Sequence, residues 1–425
     1  MIALALIALQ GQVLTLADAV QAAESRQPQI RQARAQTEAA WARADEARSA
    51  ILPQLTGTAQ YTLQTANFVP RPGLLPSNVT VSSPAPTFNL FNFYSLGLQL
   101  NQWIWDFTTL EKWKASRATA ESQAASERTA RETVRLTVRA AFFTARANRA
   151  LVDVARQNLE NIDRHRKQVV GMVEVGARPE IDRLQAETDY ANAQVQLITA
   201  ENNYETAKAQ LNQAMGIARD TAYDVSDEAL PPVDGEDLAL DPLVDEAVKG
   251  RPELAAFARQ LHAQELTISA AKGGYWPSFA GQMNLTDQGT HLDGLVWNWN
   301  VNVLASWPLF QGLLTQSTVK EAHANLRSLE SQRDAELLQV RLDVDQARLA
   351  VRAGKATIAA AETALQNARA RLDLAEQRYT EGLGNAIELG DAQVALATTA
   401  AQRVQAEFNL AVARAQLTKA LGRDR

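Results

Sequence analysis

TTLEKWKASRATAESQAASERTARETVRLTVRAAFFTARANRALVDVARQNLENIDRHRKQVV, residues 108–170, runs for sixty-three residues without glycine or proline. Ala, Arg, Glu, Gln and Leu dominate it, residues that lose little on entering a helix. At a rise of about 1.5 Å per residue such a helix is roughly 95 Å long, several times the width of an ordinary domain. No single core buries a rod of that length, so it must pack along other long helices. A second rod, residues 313–381, is interrupted only by Gly354.

The remaining composition agrees. The chain has 425 residues, 21% of them charged and only 6% aromatic, with a net charge of −6. This is the profile of long helices, and the mild acidity gives no reason to expect nucleic-acid binding. Cysteine is absent, which removes disulfides, thiolate metal sites, a cysteine nucleophile and a lipid anchor on an N-terminal cysteine. Four histidines (His165, His262, His291 and His323) lie far apart without metal-ligand spacing. Residues 1–9 form an apolar run followed by Gln-Gly-Gln, as in a secretory signal but without its basic leader. We read 1–13 as an atypical signal segment with cleavage near residues 9 to 13. No other run reaches the 18 or more apolar residues of a membrane-spanning helix.

In chain order, Asp18 to Ala50 reads as one helix and Gln54 to Gln64 as a strand. Residues 66–92, with five prolines, read as a long loop. Strand 94–105 follows, then the rod 108–172, a tip at 173–180, a returning helix to Met215, and an acidic, Pro-containing connector over 217–240. The second half repeats the order: helix 241–272, strands at about 276–287 and 295–306, rod 313–380, tip 381–388 and a last helix. The two repeats occupy 14–216 and 241–425.

Register supports duplication. Pro28, Pro53 and Gly57 recur 224 positions later as Pro252, Pro277 and Gly281, and Gly176 and Gly216 recur 206 later as Gly382 and Gly422. Six of ten residues agree between 207–216 and 413–422. The strands alternate: Leu96, Leu98 and Leu100 against Ser95, Gly97, Gln99 and Asn101, and Trp297, Trp299, Val301 and Val303 against Asn298, Asn300 and Asn302. One apolar and one polar face suits a membrane β-barrel wall, and equally a soluble antiparallel sheet on a core. Rods this long leave no globular body to cover the apolar face. Four strands cannot close a membrane barrel, which needs about eight, so the wall must be shared between chains.

With these features the chain resembles the TolC-type outer-membrane efflux family over nearly its whole length. Leu16-Ala-Asp-Ala-Val20 is similar to the family's opening segment. Trp307-Pro-Leu-Phe-Gln-Gly312 is similar to its strand-to-helix corner, with Trp103-Ile-Trp-Asp-Phe107 a degenerate copy. The resemblance implies a homotrimer in which an α-helical barrel continues into a 12-stranded outer-membrane β-barrel, four strands per chain. It also implies a long periplasmic extension, a periplasmic adaptor protein and an inner-membrane pump as partners, and contact with outer-membrane lipid.

It implies site residues at the two helix-turn-helix tips as well. Glu388 and Asp391 fall at the family's acidic constriction, where six carboxylates in a trimer attract cations and raise one another's pKa; an acidic first helical turn is the plainer reading. Tyr379 and Asp182 match a tyrosine and an aspartate that bond across the closed tips. Gly384 departs from the arginine that strengthens this latch in well-known members. Gly176, Arg178, Glu180, Gly382 and Gly384 lie where the family docks its adaptor.

Carboxylates converging with a His partner, a phosphate-binding glycine loop and a nucleophile motif are all missing, so no enzyme activity and no cofactor or metal are expected. The reading is the exit duct of a tripartite efflux pump, passively exporting small molecules. The alternatives are the exit duct of a type I protein secretion system, and a soluble coiled-coil scaffold.

Overall fold

The computed structural model describes residues 13–65, 90–218 and 223–423. The signal reading over residues 1–12 and most of the Pro-rich loop lie outside the described residues. Two compact units emerge. One comprises Met1–Thr37, Ser122–Ala258 and Ser331–Arg425, the other Glu38–Glu121 and Arg259–Glu330.

In chain order the elements are β1 (Val13–Leu14), α1 (Leu16–Arg26), α2 (Pro28–Ser49), β2 (Gln54–Thr65), β3 (Leu90–Trp105), α3 (Phe107–Glu174) and α4 (Glu180–Met215). They continue with β4 (Asp224–Val225), α5 (Leu240–Gly250), α6 (Pro252–Lys272), β5 (Ser278–Gly289), β6 (Val296–Ser306), α7 (Leu314–Thr380) and α8 (Ala386–Ala420). The rods are single helices of 68 and 67 residues. Gly354 does not interrupt α7. A Cβ there would lie 3.2–3.3 Å from atoms of Leu410, so the glycine admits α8 at close range.

The helices expected at 18–50 and 241–272 are each two. Gln27 and Arg251 adopt extended backbone (ψ 123° and 125°) because Pro28 and Pro252 follow them, and a residue before proline is pushed out of the helical region. Both side chains are then used alike. Gln27 Nε2 donates to the Ala214 carbonyl at 2.9 Å, and Arg251 Nε to the Ala420 carbonyl at 2.7 Å. Each satisfies the carbonyl end of a returning helix.

The first unit holds two equivalent cores. One packs Ala19, Ala23, Val134, Val138, Leu211 and Met215; the other packs Leu243, Ala247, Val340, Val344, Leu417 and Leu421. Every residue of the second set lies 224 or 206 positions after its counterpart in the first. The duplication is therefore a duplication of packing as well as of sequence. Several acidic residues of the connector are paired with basic ones. Asp224 pairs with Arg149 and Asp227 with Arg146, both at 2.8 Å. Glu236 is buried between Arg414 (3.0 Å) and Lys355 (2.7 Å), holding the connector to α8 and α7. The β4 strand adds a short parallel pairing, Val13 with Asp224 and Leu14 with Val225.

The second unit carries one four-stranded antiparallel sheet, ordered β2-β3-β5-β6. No helix among the described residues is long and apolar enough to cross a membrane.

Candidate functional site

The sheet has two unlike faces. Register aligns Leu55, Leu100, Met283 and Val301 in one cross-strand row, and Gly57, Leu98, Leu285 and Trp299 in the next. The opposite face carries Thr56, Gln99, Asn284 and Asn300 in one row and Thr58, Gly97, Thr286 and Asn298 in another. Asn284 Nδ2 donates to Asn300 Oδ1 at 3.0 Å, and Asn302 Nδ2 to the same oxygen at 3.1 Å. Leu55, Leu98, Leu285, Trp299 and Val301 are all exposed within the chain. Aromatic residues mark both ends of the apolar face: Tyr61, Tyr94 and Trp297 toward the β5–β6 hairpin, Trp105 and Phe279 at the other end. A mostly aliphatic band with aromatics at its ends is what the lipid-facing side of a membrane barrel requires, and Trp299 lies within that band. One charged residue breaks the pattern, and sequence reasoning passed over it. Asp287, the only charged side chain in the four strands, sits on the apolar face between Leu96 and Trp297. Its Oδ1 is buried without a hydrogen-bond partner.

The tips lie in the first unit. Both turns are built the same way, with Gly176 and Gly382 at φ 75°. The Ala177 N–H reaches the Met172 carbonyl at 2.8 Å, and the Leu383 N–H the Arg378 carbonyl at 2.9 Å. This is the Schellman ending, which needs a left-handed residue. Behind the turns Val169, Ala186, Leu372, Ala375, Tyr379, Leu389 and Ala392 form a third core.

Tyr379 is the largest fully buried side chain of the described residues, with 1% of its surface exposed. The expected hydroxyl bond to Asp182 is not made: the Tyr379 hydroxyl is buried without a partner. Arg178 takes that place. Its guanidinium carbon lies 4.6 Å from the Tyr379 ring centroid, and its Nη1 is 4.0 Å from Asp182 Oδ2. His165 stands edge-on to the same ring at 5.0 Å. Burial raises the Tyr379 pKa above its ordinary value, with Arg178 opposing and Asp182 adding. Burial likewise lowers that of His165, against the pull of Asp189 and Asp182.

Arg178 and Gly384 occupy equivalent positions, 206 apart, in the two tips. A Cβ on Gly384 would lie 3.1 Å from the Tyr379 nitrogen and 3.2 Å from the Arg378 carbonyl carbon, so this turn is closed to a side chain without a shift. The first tip thus carries an arginine at the position where the second carries Gly384. Of the other anticipated residues, Glu388 and Asp391 are not used alike. Glu388 is the third residue of α8, where its N–H donates to the Asn385 cap at 2.7 Å and its carboxylate sits 3.5 Å from Arg378 Nε. Asp391 is exposed and lines a groove of about 1070 Å³ with Asp182, Asp189 and Gln185, from which Glu388 is absent. Glu180 is exposed and paired with Arg183. Arg378 and His165 were missed because neither stands in a motif; both are brought to the tip by helix packing.

A duplicated chain of long helices, carrying a two-faced sheet with an open edge on either side among the described residues, defines the class of outer-membrane ducts. The chain belongs to the outer membrane efflux protein family, whose model matches residues 19–217 and 243–423. It is 25% identical over 401 residues to the outer membrane protein TolC of Escherichia coli K12, covering 89% of this chain and 76% of that protein. Two solved channels share its fold. The Campylobacter jejuni CmeC outer membrane channel superposes with a TM-score of 0.80 at 18% identity, over 96% of this chain and 85% of that one. The open state of the Neisseria gonorrhoeae MtrE channel does so with 0.77 at 19%, over 96% and 89%. The protein is an outer-membrane efflux channel, not an enzyme.

Proposed function

We propose that three copies of this chain form one passive exit duct, in which an inner-membrane pump passes small molecules through a periplasmic adaptor. The observation that carries this reading is the sheet: apolar on one face, polar on the other, with β2 and β6 unpaired at its edges among the described residues. Unpaired backbone groups cannot remain at membrane depth, since lipid offers them no hydrogen bonds. Three four-stranded sheets supply twelve strands, enough for a closed ring.

The tips are the gate. Arg178, held on Tyr379 and beside Asp182, latches the first tip to the second within each chain. The groove carboxylates Asp391, Asp182 and Asp189 face the narrow axis and select cations, with Glu388 held back by Arg378. The adaptor docks on the outer surfaces of the turns, at Gly176, Glu180, Gly382 and Gly384, and opening follows from its stronger binding to separated tips. Planar-bilayer conductance of the detergent-purified protein, with its native mass measured on the same sample, tests this. A trimer with small, cation-selective pores is expected. A water-soluble species that never inserts overturns the duct.

A further inference from the structure

The internal duplication predicts how neighbouring copies join. Around a ring of chains, each second repeat meets the next chain's first repeat as each first repeat meets its own second. The contact β3–β5 inside the chain is therefore the template for the contact between β6 and the β2 of the next copy. Both outer strands are unpaired among the described residues, and the alternating directions of the sheet make β6 and β2 antiparallel to each other.

The template gives a register. β2 and β5 have bounds 224 residues apart, Gln54–Thr65 and Ser278–Gly289. Gln54 pairs with Asn101 and Ser278 with Ser306, so Asn101 and Ser306 are counterparts, as are Leu98 and Val303. Within the chain, Leu98 faces Leu285, Gly97 faces Thr286 and Leu96 faces Asp287. Carried over, we propose that Val303 of one copy stands opposite Tyr61 of the next, Asn302 opposite Thr62, Val301 opposite Leu63 and Ala305 opposite Ala59. This rests on the trimer reading above and adds to it a residue-level seam.

Side-chain chemistry checks the register independently. Val301, Val303 and Ala305 share the apolar face with Tyr61, Leu63 and Ala59, while Asn302 and Thr62 share the polar one. A slip of one residue would set asparagine among leucines on the lipid side. Only slips of two keep the faces matched, and the template decides among those. The seam also closes on itself, each copy giving β6 to one neighbour and β2 to the other, as a head-to-tail ring requires.

The chain has no cysteine, so paired substitutions report the seam directly. Directly opposite residues have Cβ atoms about 4.5–5.5 Å apart, near disulfide range, whereas residues displaced by two are about 7–8 Å apart. Four double variants are oxidised in detergent and run without reductant: V303C/Y61C and N302C/T62C in register, V303C/A59C and V303C/L63C two residues out. Each is also sized under reducing conditions to establish its native mass. At least one in-register pair is expected to form covalent dimers and trimers at least tenfold more efficiently than either displaced pair. A displaced pair that cross-links best overturns the register while leaving the trimer standing. A trimer in which none of the four cross-links overturns the seam altogether. A parent protein that is monomeric sinks the trimer, and the seam with it.

Discussion

Arg178→Gln and Tyr379→Phe should act in opposite directions on the tips. Arg178 makes two contacts, and their sizes can be set from the structure. The guanidinium over the Tyr379 ring at 4.6 Å is largely withdrawn from water, with the arginine side chain 23% exposed. Such contacts contribute between about 0.5 and 2 kcal/mol, the upper end applying when desolvated. The Asp182 pair at 4.0 Å is at the outer limit of an ion pair, worth at most about 1 kcal/mol. Only the ring contact bridges the two tips, Arg178 and Asp182 both belonging to the first, so its loss should weaken the closed tip by about 0.5–2 kcal/mol per chain, a factor of roughly 2 to 30 in the open population at about 1.4 kcal/mol per tenfold. Tyr379→Phe keeps the ring and removes a buried hydroxyl that has no partner. An unsatisfied buried donor costs about 1–3 kcal/mol, so deleting it should leave the tip as closed as before, or more so. Single-channel recordings of both variants against the parent read the difference as open probability. If the phenylalanine variant opens and the glutamine variant stays closed, a hydroxyl bond is the latch and the reasoning from Arg178 fails.

Asp391→Ala should raise conductance and weaken cation selectivity, while Glu388→Ala should do so much less because Arg378 already engages that carboxylate; reversal potentials in a salt gradient rank the two. Burial of Glu236 works against its charge, but Arg414, Lys355 and the Val233 N–H outweigh it and hold its pKa at about 2, below the ordinary 4.5. That drop corresponds to about 3 kcal/mol of stability at 1.36 kcal/mol per pKa unit. Because the folded value is the lower one, the contribution is complete above pH 4.5 and is lost as pH falls toward 2. Denaturant midpoints of Glu236→Gln and the parent should therefore differ at pH 7 and converge in acid. Gly382→Ala should cost about 1–2 kcal/mol through its left-handed backbone alone, since a Cβ there meets nothing within 4 Å. A midpoint unchanged from the parent would mean that the second tip turn tolerates an L side chain.

Much of the fold was legible because long helices and alternating strands are periodic patterns, and periodicity is a local property. The two rods followed from helix formers without breakers, and the sheet's two faces from alternation. The duplication followed from glycines and prolines whose backbone conformations have no substitute. The paired helices at the start of each repeat were legible too, in Pro28 and Pro252, had the residue before each proline been weighed as a boundary. The tip was legible only in part. Gly176, Gly382 and Glu388 announce turns and caps, but nothing local tells that Arg178 lies on Tyr379, that Arg378 holds Glu388, or that Tyr379 leaves its hydroxyl unbonded. Those facts depend on how α3, α7 and α8 are set against one another, and each joins residues some 10 to 200 positions apart. The elements and the faces they present can be read along the chain because their patterns span a few residues, and the repeat because prolines and glycines recur at fixed spacing. Which charges meet at the tip and in the connector emerges only in three dimensions, because a side chain's partner is set by packing between distant helices.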